Sequence, residues 1–278
     1  MFPQHHRPRY TIGMHKLCTS DCWLSVVTVV KDDPKGLDIT LDSLQQQNLE
    51  GVQYIVIDSS RDRSSVAQRV SSREITNSSV YWVTPEGIYS AMNQGIQHSS
   101  GEYIYFANAG DSFASPDSLS EIHKVIKQSD PVWVMGPIEI VEQSGRIVVS
   151  PTWNFAAEQS RLFARGLFAP HQGTFAQTSN VRELGRFDTS YEIAADYALF
   201  LKLTQLSDPV VVDFPVARFS EGGASTVDWQ KAFREFHRAR REILTPTGMQ
   251  SVREYVDTLN HFSKVGIVKA LRAMNIKD

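Results

Sequence analysis

A short polar turn after an apolar segment carries the first residue that could do chemistry. The apolar residues 103–107 run into Asn108-Ala-Gly-Asp111, which closes on an aspartate. In an open α/β sheet, ligands bind at the carboxyl ends of strands, so a carboxylate here is positioned to meet a metal ion or a phosphate. Asp111 is therefore a candidate functional residue, although Asn, Gly and Asp are also ordinary turn residues.

The elements that must position this turn alternate along the chain. The pattern predicts strands at 24–30, 53–57, 80–83 and 103–107, and helices at 37–47, 64–72 and 88–98. Continuous apolar strands that alternate with helices are typical of a mostly parallel sheet covered on both faces. The sequence therefore predicts an α/β fold.

The order of elements changes after Asp111. Ser115-Pro-Asp-Ser118 predicts the start of a helix that runs to about Lys127, because serine and aspartate favour the helix N-terminus. Strands are predicted at 132–135, 138–141 and 146–149, with Glu142-Gln-Ser-Gly145 as the turn of a hairpin. This half should form a smaller, mixed sheet.

Five segments resemble glycosyltransferase family 2, the inverting sugar-nucleotide enzymes. Gly87-Ile-Tyr-Ser-Ala-Met-Asn-Gln-Gly95 and the segment Gly101-Glu-Tyr-Ile-Tyr-Phe-Ala-Asn-Ala-Gly-Asp111 are similar to family motifs that read G-I-Y-D-A-M-N-x-G and G-E-Y-I-x-F-L-N-A-x-D. Residues 24–30 with 54–58, and residues 193–203, agree in the same order. The resemblance covers residues 24–225 and is closest to a bacterial exopolysaccharide, colanic-acid-type branch.

The resemblance implies the GT-A fold, a Rossmann-like α/β architecture with a mostly parallel central sheet, a smaller acceptor-side sheet and C-terminal helices. We expect a mobile N-terminal arm at 1–22, the GT-A domain at 23–227 and basic amphipathic helices at 228–278.

The resemblance also implies which residues hold the donor nucleotide sugar. The residues at the corresponding positions are Thr28, Val30, Asp58, Glu86, Asn93 and Asn108. The segment Asp58-Ser-Ser-Arg-Asp62 departs from the family pattern by being one residue shorter. Either aspartate could instead cap a helix, and Asn93 could instead be a buried amide that binds backbone.

Asn108-Ala-Gly-Asp111 stands where the family carries its Asp-x-Asp metal motif, with an amide and a glycine in place of carboxylates. Mg²⁺ or Mn²⁺ accepts oxygen ligands from one or two carboxylates together with phosphates and water. The resemblance therefore implies Asp111 as the metal ligand.

Asp196 begins a predicted helix, 196–206, at the position of the family's catalytic carboxylate. Inverting transfer needs a base that takes the proton of the acceptor hydroxyl as its oxygen attacks the anomeric carbon. We expect Asp196 to be that base. The alternative is a helix N-terminal carboxylate that only interacts with the helix dipole.

Two further segments match the same branch of the family. His171-Gln172 corresponds to a His-Gln segment expected near the donor diphosphate or the acceptor, although a single histidine can equally be structural. Gly222, Gly223 and Ser225 match a Gly-Gly-x-Ser loop that could close over the donor as a lid.

Composition limits the classes of partner. The 278 residues are 41% hydrophobic, with a net charge of -3 and a pI of about 6.2, which argues against a nucleic-acid-binding protein. Cys18 and Cys22 are the two cysteines, so no disulfide framework is expected; with His5, His6 and His15 they fit no compact zinc pattern. No apolar run reaches the ~18 residues that span a bilayer. We expect a cytoplasmic protein, soluble or at the cytoplasmic face of the membrane.

The C-terminal segment carries aromatic and basic residues at helical spacing. The aromatic residues are Trp229, Phe233 and Phe236, and the basic residues are Lys231, Arg234, Arg238, Arg240 and Arg241. Such helices can lie on anionic membranes, and residues 264–274 repeat the pattern. The alternative is an ordinary helix whose apolar face packs on the catalytic domain.

The resemblance thus implies a metal-dependent inverting glycosyltransferase that uses a UDP- or GDP-sugar and a saccharide or lipid-linked acceptor in bacterial polysaccharide or glycolipid assembly. A nucleotidyltransferase would need a Gly-rich basic phosphate loop after the first strand, and Lys31-Asp-Asp-Pro-Lys35 is a poor version of one. A non-catalytic sugar-nucleotide-binding protein would be favoured if Asp196 lay far from the pocket.

Overall fold

A computed structural model describes residues 11–12, 22–142, 144–150, 154–155, 170–220 and 228–275, with the backbone alone for 11–12, 261 and 267–275. Most of the predicted N-terminal arm and the predicted lid residues Gly222, Gly223 and Ser225 lie outside these ranges. So does Cys18. The N-terminal arm and the lid therefore stay predictions.

The described chain alternates strands and helices in its first half and is mixed in its second half. The strands are β1 (Thr11–Ile12), β2 (Leu24–Val30), β3 (Val52–Asp58), β4 (Ser78–Trp82), β5 (Tyr103–Phe106), β6 (Ser112–Phe113), β7 (Trp133–Met135), β8 (Ile138–Val141), β9 (Ile147–Val149), β10 (Thr174–Gln177), β11 (Val210–Val211) and β12 (Ala217–Ser220). The helices are α1 (Pro34–Gln45), α2 (Arg63–Ser72), α3 (Ile88–His98), α4 (Ser118–Ser129), α5 (Thr178–Glu183), α6 (Ala195–Leu203), α7 (Trp229–Leu244) and α8 (Gly248–Asn275), with a 3₁₀ turn at His171–Gly173.

The central sheet has eight strands in the order β1-β4-β3-β2-β5-β10-β7-β11. Strands β4, β3, β2 and β5 are mutually parallel, so their carboxyl ends meet at one edge of the sheet. The α/β prediction is confirmed, and the predicted strands and helices of the first half agree with the observed ones to within three residues. The architecture is the expected mostly parallel sheet with helices on both faces.

Both faces of the sheet are buried, which explains why its strands are continuously apolar. Alternate residues of β2 and β3 point to opposite faces, as strand geometry requires. Val27 and Ile57 join one hydrophobic core with α3 and α6. Val26 and Val56 join the other core, which α1, α2 and α4 cover. Every residue of β2 is buried as a result.

Strand β10 was not predicted, and it changes the geometry of the sheet. It lies between β5 and β7 and runs antiparallel to both. The preceding turn, His171–Gly173, is thereby brought beside the end of β5. A second sheet, in the order β6-β12-β8-β9, forms the predicted smaller mixed sheet. Strand β7, which was expected in that sheet, instead pairs with β10 and β11 in the central sheet.

Two aspartates near the strand ends cap helices. Asp33 Oδ1 accepts a hydrogen bond from Gly36 N at 2.9 Å and caps α1. Asp62 Oδ1 accepts bonds from the backbone N–H groups of Ser64 and Ser65 at the start of α2. Side-chain caps of this kind satisfy N–H groups that have no partner within the helix. For Asp62, the capping alternative describes the observed contacts.

Helix α7 packs on the catalytic domain through its apolar face. Ala239 is buried in the core that includes α6, and Phe236 and Ile243 pack against that core. Arg240 is fully buried and donates to Glu254 and Thr258 of α8. The packing alternative therefore describes α7. Among the helices that the structure describes, none is both long and apolar enough to cross a bilayer.

Candidate active site

The carboxyl ends of the parallel strands open into a cleft of about 330 Å³. Its walls come from the end of β2, the segments after β3 and β4, the first turns of α3 and the turn after β5. The lining residues are Val29, Val30, Lys31, Asp33, Ser59, Pro85, Gly87, Ile88, Ala91, Asn108 and Ala109. The cleft lies where an open α/β sheet binds its ligands.

Asp58 is the last residue of β3 and presents a buried carboxylate at this edge of the sheet. Its Oδ1 accepts from Ser60 N at 2.7 Å, while its Oδ2 is buried and has no hydrogen-bond partner among the described residues. Burial raises the pKa of Asp58, and the hydrogen bonds from Ser60 partly offset this effect. A buried carboxylate oxygen with a free lone pair is suited to accept a bond from a ligand hydroxyl or N–H group.

The turn after β5 is fixed by backbone contacts to α1. Thr40 Oγ1 donates to Asp111 O at 2.8 Å, and Gly110 N donates to Gly36 O at 2.9 Å. Gly110 has a φ of 100°, a conformation that favours glycine over residues with a side chain. Asn108 N then donates to Asp111 Oδ2 at 2.9 Å, so the turn closes on its own aspartate.

Asp111 is almost fully buried, with 6% of its surface exposed. Burial raises its pKa to about 6, although the charge of His171 and hydrogen bonds from Asn108 N and the Gln172 side chain lower it. These contacts bring the sequence-predicted residues Asn108, Asp111, His171 and Gln172 together.

His171 hydrogen-bonds one candidate carboxylate, Asp196, and interacts through its charge with the other, Asp111. Its Nδ1 lies 3.3 Å from Asp196 Oδ2, and since an ionised carboxylate only accepts, Nδ1–H must donate. Burial lowers the pKa of His171. The hydrogen bond to Asp196 and the charges of Asp196 and Asp111 raise the pKa by more than burial lowers it, so the net shift is upward. The imidazole therefore couples the turn after β5 to the start of α6.

The other ring nitrogen of His171 faces the Asn108 amide. Nε2 lies 3.0 Å from Asn108 Nδ2, which requires Nε2 to accept and the ring to be neutral. If the ring is protonated, the side-chain amide of Asn108 must flip by about 180° so that its Oδ1 accepts from Nε2–H of His171. As placed, Asn108 Oδ1 is buried and no described group donates to it. The orientation of this amide thus depends on the charge of the ring.

Asp196 lies in the first turn of α6, with 23% of its side chain exposed. Its Oδ1 accepts from Tyr197 N at 2.8 Å and lies 3.2 Å from the Tyr89 hydroxyl oxygen. The single proton of that hydroxyl is shared between Asp196 Oδ1 and Ile193 O, which lies 2.5 Å away. Burial and the charge of Asp196 raise the pKa of Tyr89, so its hydroxyl remains a donor. Both oxygens of Asp196 thus have fixed neighbours, which orients the carboxylate.

Tyr89 was not assigned a role from the sequence, although it lies within the motif Gly87-Ile-Tyr-Ser. The local signal was its place in the first turn of a predicted helix that starts near the carboxyl edge of the sheet. The partner of its hydroxyl is 107 residues away in the chain, and no local pattern reveals that contact.

Three further predicted site residues differ in their position relative to the cleft. Val30 lines the cleft, whereas Thr28 is buried within β2 and accepts from the Tyr54 hydroxyl at 3.0 Å. Glu86 is exposed between two lining residues, Pro85 and Gly87. Its carboxylate lies 3.5 Å from Ser90 Oγ.

Asn93 binds the backbone of Phe187 with both polar atoms of its side chain. Its Nδ2 donates to Phe187 O at 2.8 Å, and its Oδ1 accepts from Phe187 N at 3.0 Å. The observed contacts are those of the alternative in which the amide binds backbone. The asparagine ties α3 to the segment that leads to α6.

Asn108 and Asp111 offer oxygen ligands that fit Mg²⁺ or Mn²⁺. The buried amide oxygen of Asn108 has a free lone pair, and the carboxylate of Asp111 lies in the same turn. These hard cations need few protein ligands when phosphates and water supply the rest. Within the described ranges, no three His, Cys, Asp or Glu side chains form a cluster that could hold a metal by themselves. Asn108 and Asp111 are therefore suited to a cation whose other coordinating atoms come from a bound phosphate ligand and water.

Comparison with known proteins identifies relatives of this chain. The family model described as Glycosyl transferase family 2 matches residues 25–180. The uncharacterized glycosyltransferase Rv1514c of Mycobacterium tuberculosis (strain ATCC 25618 / H37Rv) is 30% identical over 217 residues, which cover 75% of this chain and 79% of that protein. The amylovoran biosynthesis glycosyltransferase AmsB of Erwinia amylovora is 26% identical over 251 residues, which cover 81% of this chain and 82% of that protein.

Solved structures with the same fold include two proteins that are distant in sequence. S. aureus TarS 1-349 is 16% identical, with a TM-score of 0.65 over 87% of this chain and 72% of that one. The chain spans 43% of the longer TarS chain. The mannosyltransferase PcManGT from Pyrobaculum calidifontis, in complex with GDP-Man and Mn²⁺, is 14% identical, with a TM-score of 0.60 over 94% of this chain and 81% of that one. The fold is therefore GT-A, as predicted.

Proposed function

Because this chain belongs to glycosyltransferase family 2 and is therefore a glycosyltransferase, we propose that its cleft binds a nucleoside-diphosphate sugar and that Asp196 accepts the proton of the attacking hydroxyl. The observation that carries the proposal is the network Asp111, His171 and Asp196 at the carboxyl edge of the sheet. It puts an oriented carboxylate next to a turn that can hold a cation and a diphosphate. We further propose that the transfer serves bacterial polysaccharide or glycolipid assembly, since AmsB is named for amylovoran biosynthesis.

The proposed donor is a UDP- or GDP-sugar. TarS 1-349 has been solved in complex with UDP-GlcNAc and PcManGT in complex with GDP-Man, which supports a donor of this class. In this chain, the buried Asp58 Oδ2 can accept a hydrogen bond from the nucleoside part of the donor, because no described residue uses it. Ser59, the next residue, lines the cleft.

The proposed metal site consists of the Asp111 carboxylate and the Asn108 amide oxygen. A bound Mg²⁺ or Mn²⁺ would neutralise charge on the diphosphate leaving group. The residues around the site agree with this role, because a nearby cation favours the neutral His171 ring and so the observed orientation of Asn108. In that orientation Oδ1 is free to act as a ligand.

The proposed reaction is a single displacement with inversion at the anomeric carbon. The acceptor oxygen forms the new bond to that carbon while the bond to the diphosphate oxygen breaks, and the hydroxyl proton passes to Asp196. The Nδ1–H of His171 and the backbone N–H of Tyr197 donate to the carboxylate and hold it in place. A fixed base at hydrogen-bonding distance is the main requirement of general-base catalysis.

Two alternatives from the sequence receive no support from the geometry. The segment 31–35 contributes Lys31 and Asp33 to the cleft, but Asp33 caps α1 and the segment has no glycine-rich phosphate loop. A non-catalytic binding protein was expected if Asp196 lay far from the pocket. Asp196 instead contacts His171, which contacts the cleft residue Asn108.

We also propose that α8 contacts an anionic membrane, near a lipid-linked acceptor. Met249, Val252, Val256 and Leu259 recur at helical spacing and are each about half exposed or more, from 48% to 82%. The basic residue Lys264 is exposed on the same helix. An exposed apolar stripe with basic residues is typical of helices that lie in the membrane interface.

The role of Asp196 predicts a specific kinetic defect. Asp196→Asn should lower kcat by ~10²- to 10⁴-fold, because the amide cannot take the hydroxyl proton, while donor affinity stays near the native value. Initial rates with saturating acceptor and equilibrium titration of the donor measure the two quantities separately. Asp188→Asn, an exposed neighbour, is the control and should keep near-native kcat. Near-native turnover of folded Asp196→Asn would refute the assignment.

The metal site predicts a donor effect that depends on Mn²⁺. A UDP- or GDP-sugar should raise the melting temperature of the native chain more with Mn²⁺ than with EDTA, since a ligand of the folded state stabilises it. Asp111→Asn should lose most of this difference, whereas Asp117→Asn, an exposed aspartate elsewhere, should keep it. An undiminished Mn²⁺ effect in Asp111→Asn would remove Asp111 as the ligand.

The membrane proposal predicts lipid-dependent sedimentation. The full chain should sediment with vesicles of phosphatidylglycerol more than with vesicles of phosphatidylcholine, and added salt should weaken binding because it screens charge. Replacing Val252 and Val256 by serine should lower binding to both. Equal binding to anionic and neutral vesicles at all salt concentrations would contradict the electrostatic part.

A further inference from the structure

We infer that Glu235 of α7 is a positioning residue for Asp196, acting through the backbone segment that precedes α6. The inference rests on the proposed role of Asp196 as the base. It assigns the C-terminal helix a part in the active site, although α7 is remote in sequence from the residues that line the cleft.

The Glu235 carboxylate binds three consecutive backbone N–H groups. Its Oε1 accepts from Glu192 N at 3.1 Å, and its Oε2 accepts from Ile193 N at 2.8 Å and from Ala194 N at 3.0 Å. Glu235 is itself buried, with 8% of its surface exposed. Hydrogen bonds to an ionised carboxylate are stronger than those between neutral groups, and burial protects them from competition by water.

These three N–H groups belong to the residues that lead directly into α6. Ala194 is the N-cap residue of that helix, and it makes no side-chain cap hydrogen bond. A buried N–H without an acceptor is costly, so the Glu235 carboxylate stabilises the conformation of the segment from which α6 starts. The negative charge also interacts favourably with the N-terminal end of the helix dipole.

The same segment is tied to the catalytic network on its other side. The Ile193 carbonyl accepts from the Tyr89 hydroxyl, and that hydroxyl also contacts Asp196 Oδ1. Ile193 thus has its N–H bound to Glu235 and its C=O bound to Tyr89. Movement of the segment would shift both Asp196, two residues later, and the hydroxyl that orients it.

Other residues on the same face of α7 contact the segment more weakly. Lys231, Arg238 and Glu242 share a helical face with Glu235, and they pair with Glu192, Ser190 and Tyr191. Each of these contacts includes at least one partly or largely exposed side chain, although Tyr191 itself is buried, and exposed pairs contribute little. Glu235 differs because it is buried and binds backbone directly.

The inference predicts that Glu235→Gln lowers kcat with little change in donor affinity. Glutamine keeps the shape but turns an NH₂ group toward backbone N–H groups, so the segment should move. Because small misplacement of a catalytic group can cost about 10²-fold, we expect kcat to fall by roughly 10- to 100-fold. Glu242→Gln is the matched control, with the same change on the same helix, and should stay within about twofold of native.

A double-mutant cycle separates positioning from general destabilisation. If Glu235 acts through Asp196, Glu235→Gln should have little further effect on kcat in the Asp196→Asn background. An equal fold-loss in both backgrounds would overturn the inference, as would near-native kcat in Glu235→Gln while Asp196→Asn is slow. Near-native kcat in Asp196→Asn would instead refute the proposed base, so the two failures are distinct.

Hydrogen exchange in the native chain tests the contact without any variant. The amides of Glu192, Ile193 and Ala194 should exchange far more slowly than those of exposed segments, because each is bound to a buried carboxylate. Rapid exchange of all three amides would overturn the inference even if Glu235→Gln fails to fold.

Discussion

The structure of this site depends on one imidazole that acts on two carboxylates. Asp111 is buried in the turn after one strand, and Asp196 lies in the first turn of a helix 85 positions later. His171 hydrogen-bonds Asp196, and its charge acts on Asp111. Two nearby carboxylates repel each other in a buried site unless a cation or hydrogen-bond donors lie between them. His171 supplies the donor, and Asn108 fixes its second ring nitrogen. The turn after β5, the turn before β10 and the start of α6 must therefore keep a fixed geometry.

Much of the first half of the fold follows from local sequence. The continuous apolar strands predicted a parallel sheet with both faces buried, and Asp58 and Asp111 were placed correctly at strand ends because a strand end is a local feature. Strand β10 was missed, since four residues between turns give little periodicity and its antiparallel pairing with β5 is a long-range property. The contacts of Tyr89 and Glu235 were missed for the same reason: their partners lie 104 and 42 residues away.

Charge patterns alone did not decide between the two interpretations of α7. The basic residues of α7 suggested a face toward a membrane, yet Arg240 is buried against Glu254, and Lys231 and Arg238 pair with the segment before α6. Sequence spacing cannot distinguish a solvated basic face from one with acidic or polar partners inside the fold, because both have the same helical period. Asn93 and Asp62 illustrate the same limit: their side chains bind backbone, which sequence could offer only as an alternative.

The central claim is that His171 donates Nδ1–H to an ionised Asp196. The direct measurement is ¹⁵N NMR of the imidazole nitrogens, titrated to a pH at which the ring is neutral because the pKa of His171 is raised, with His171→Gln used to assign the signal among the eight histidines. We expect Nδ1 to carry the proton in the native chain, and this preference to be lost in Asp196→Asn. A native ring protonated at Nε2, with a bare Nδ1 facing Asp196, would contradict the account.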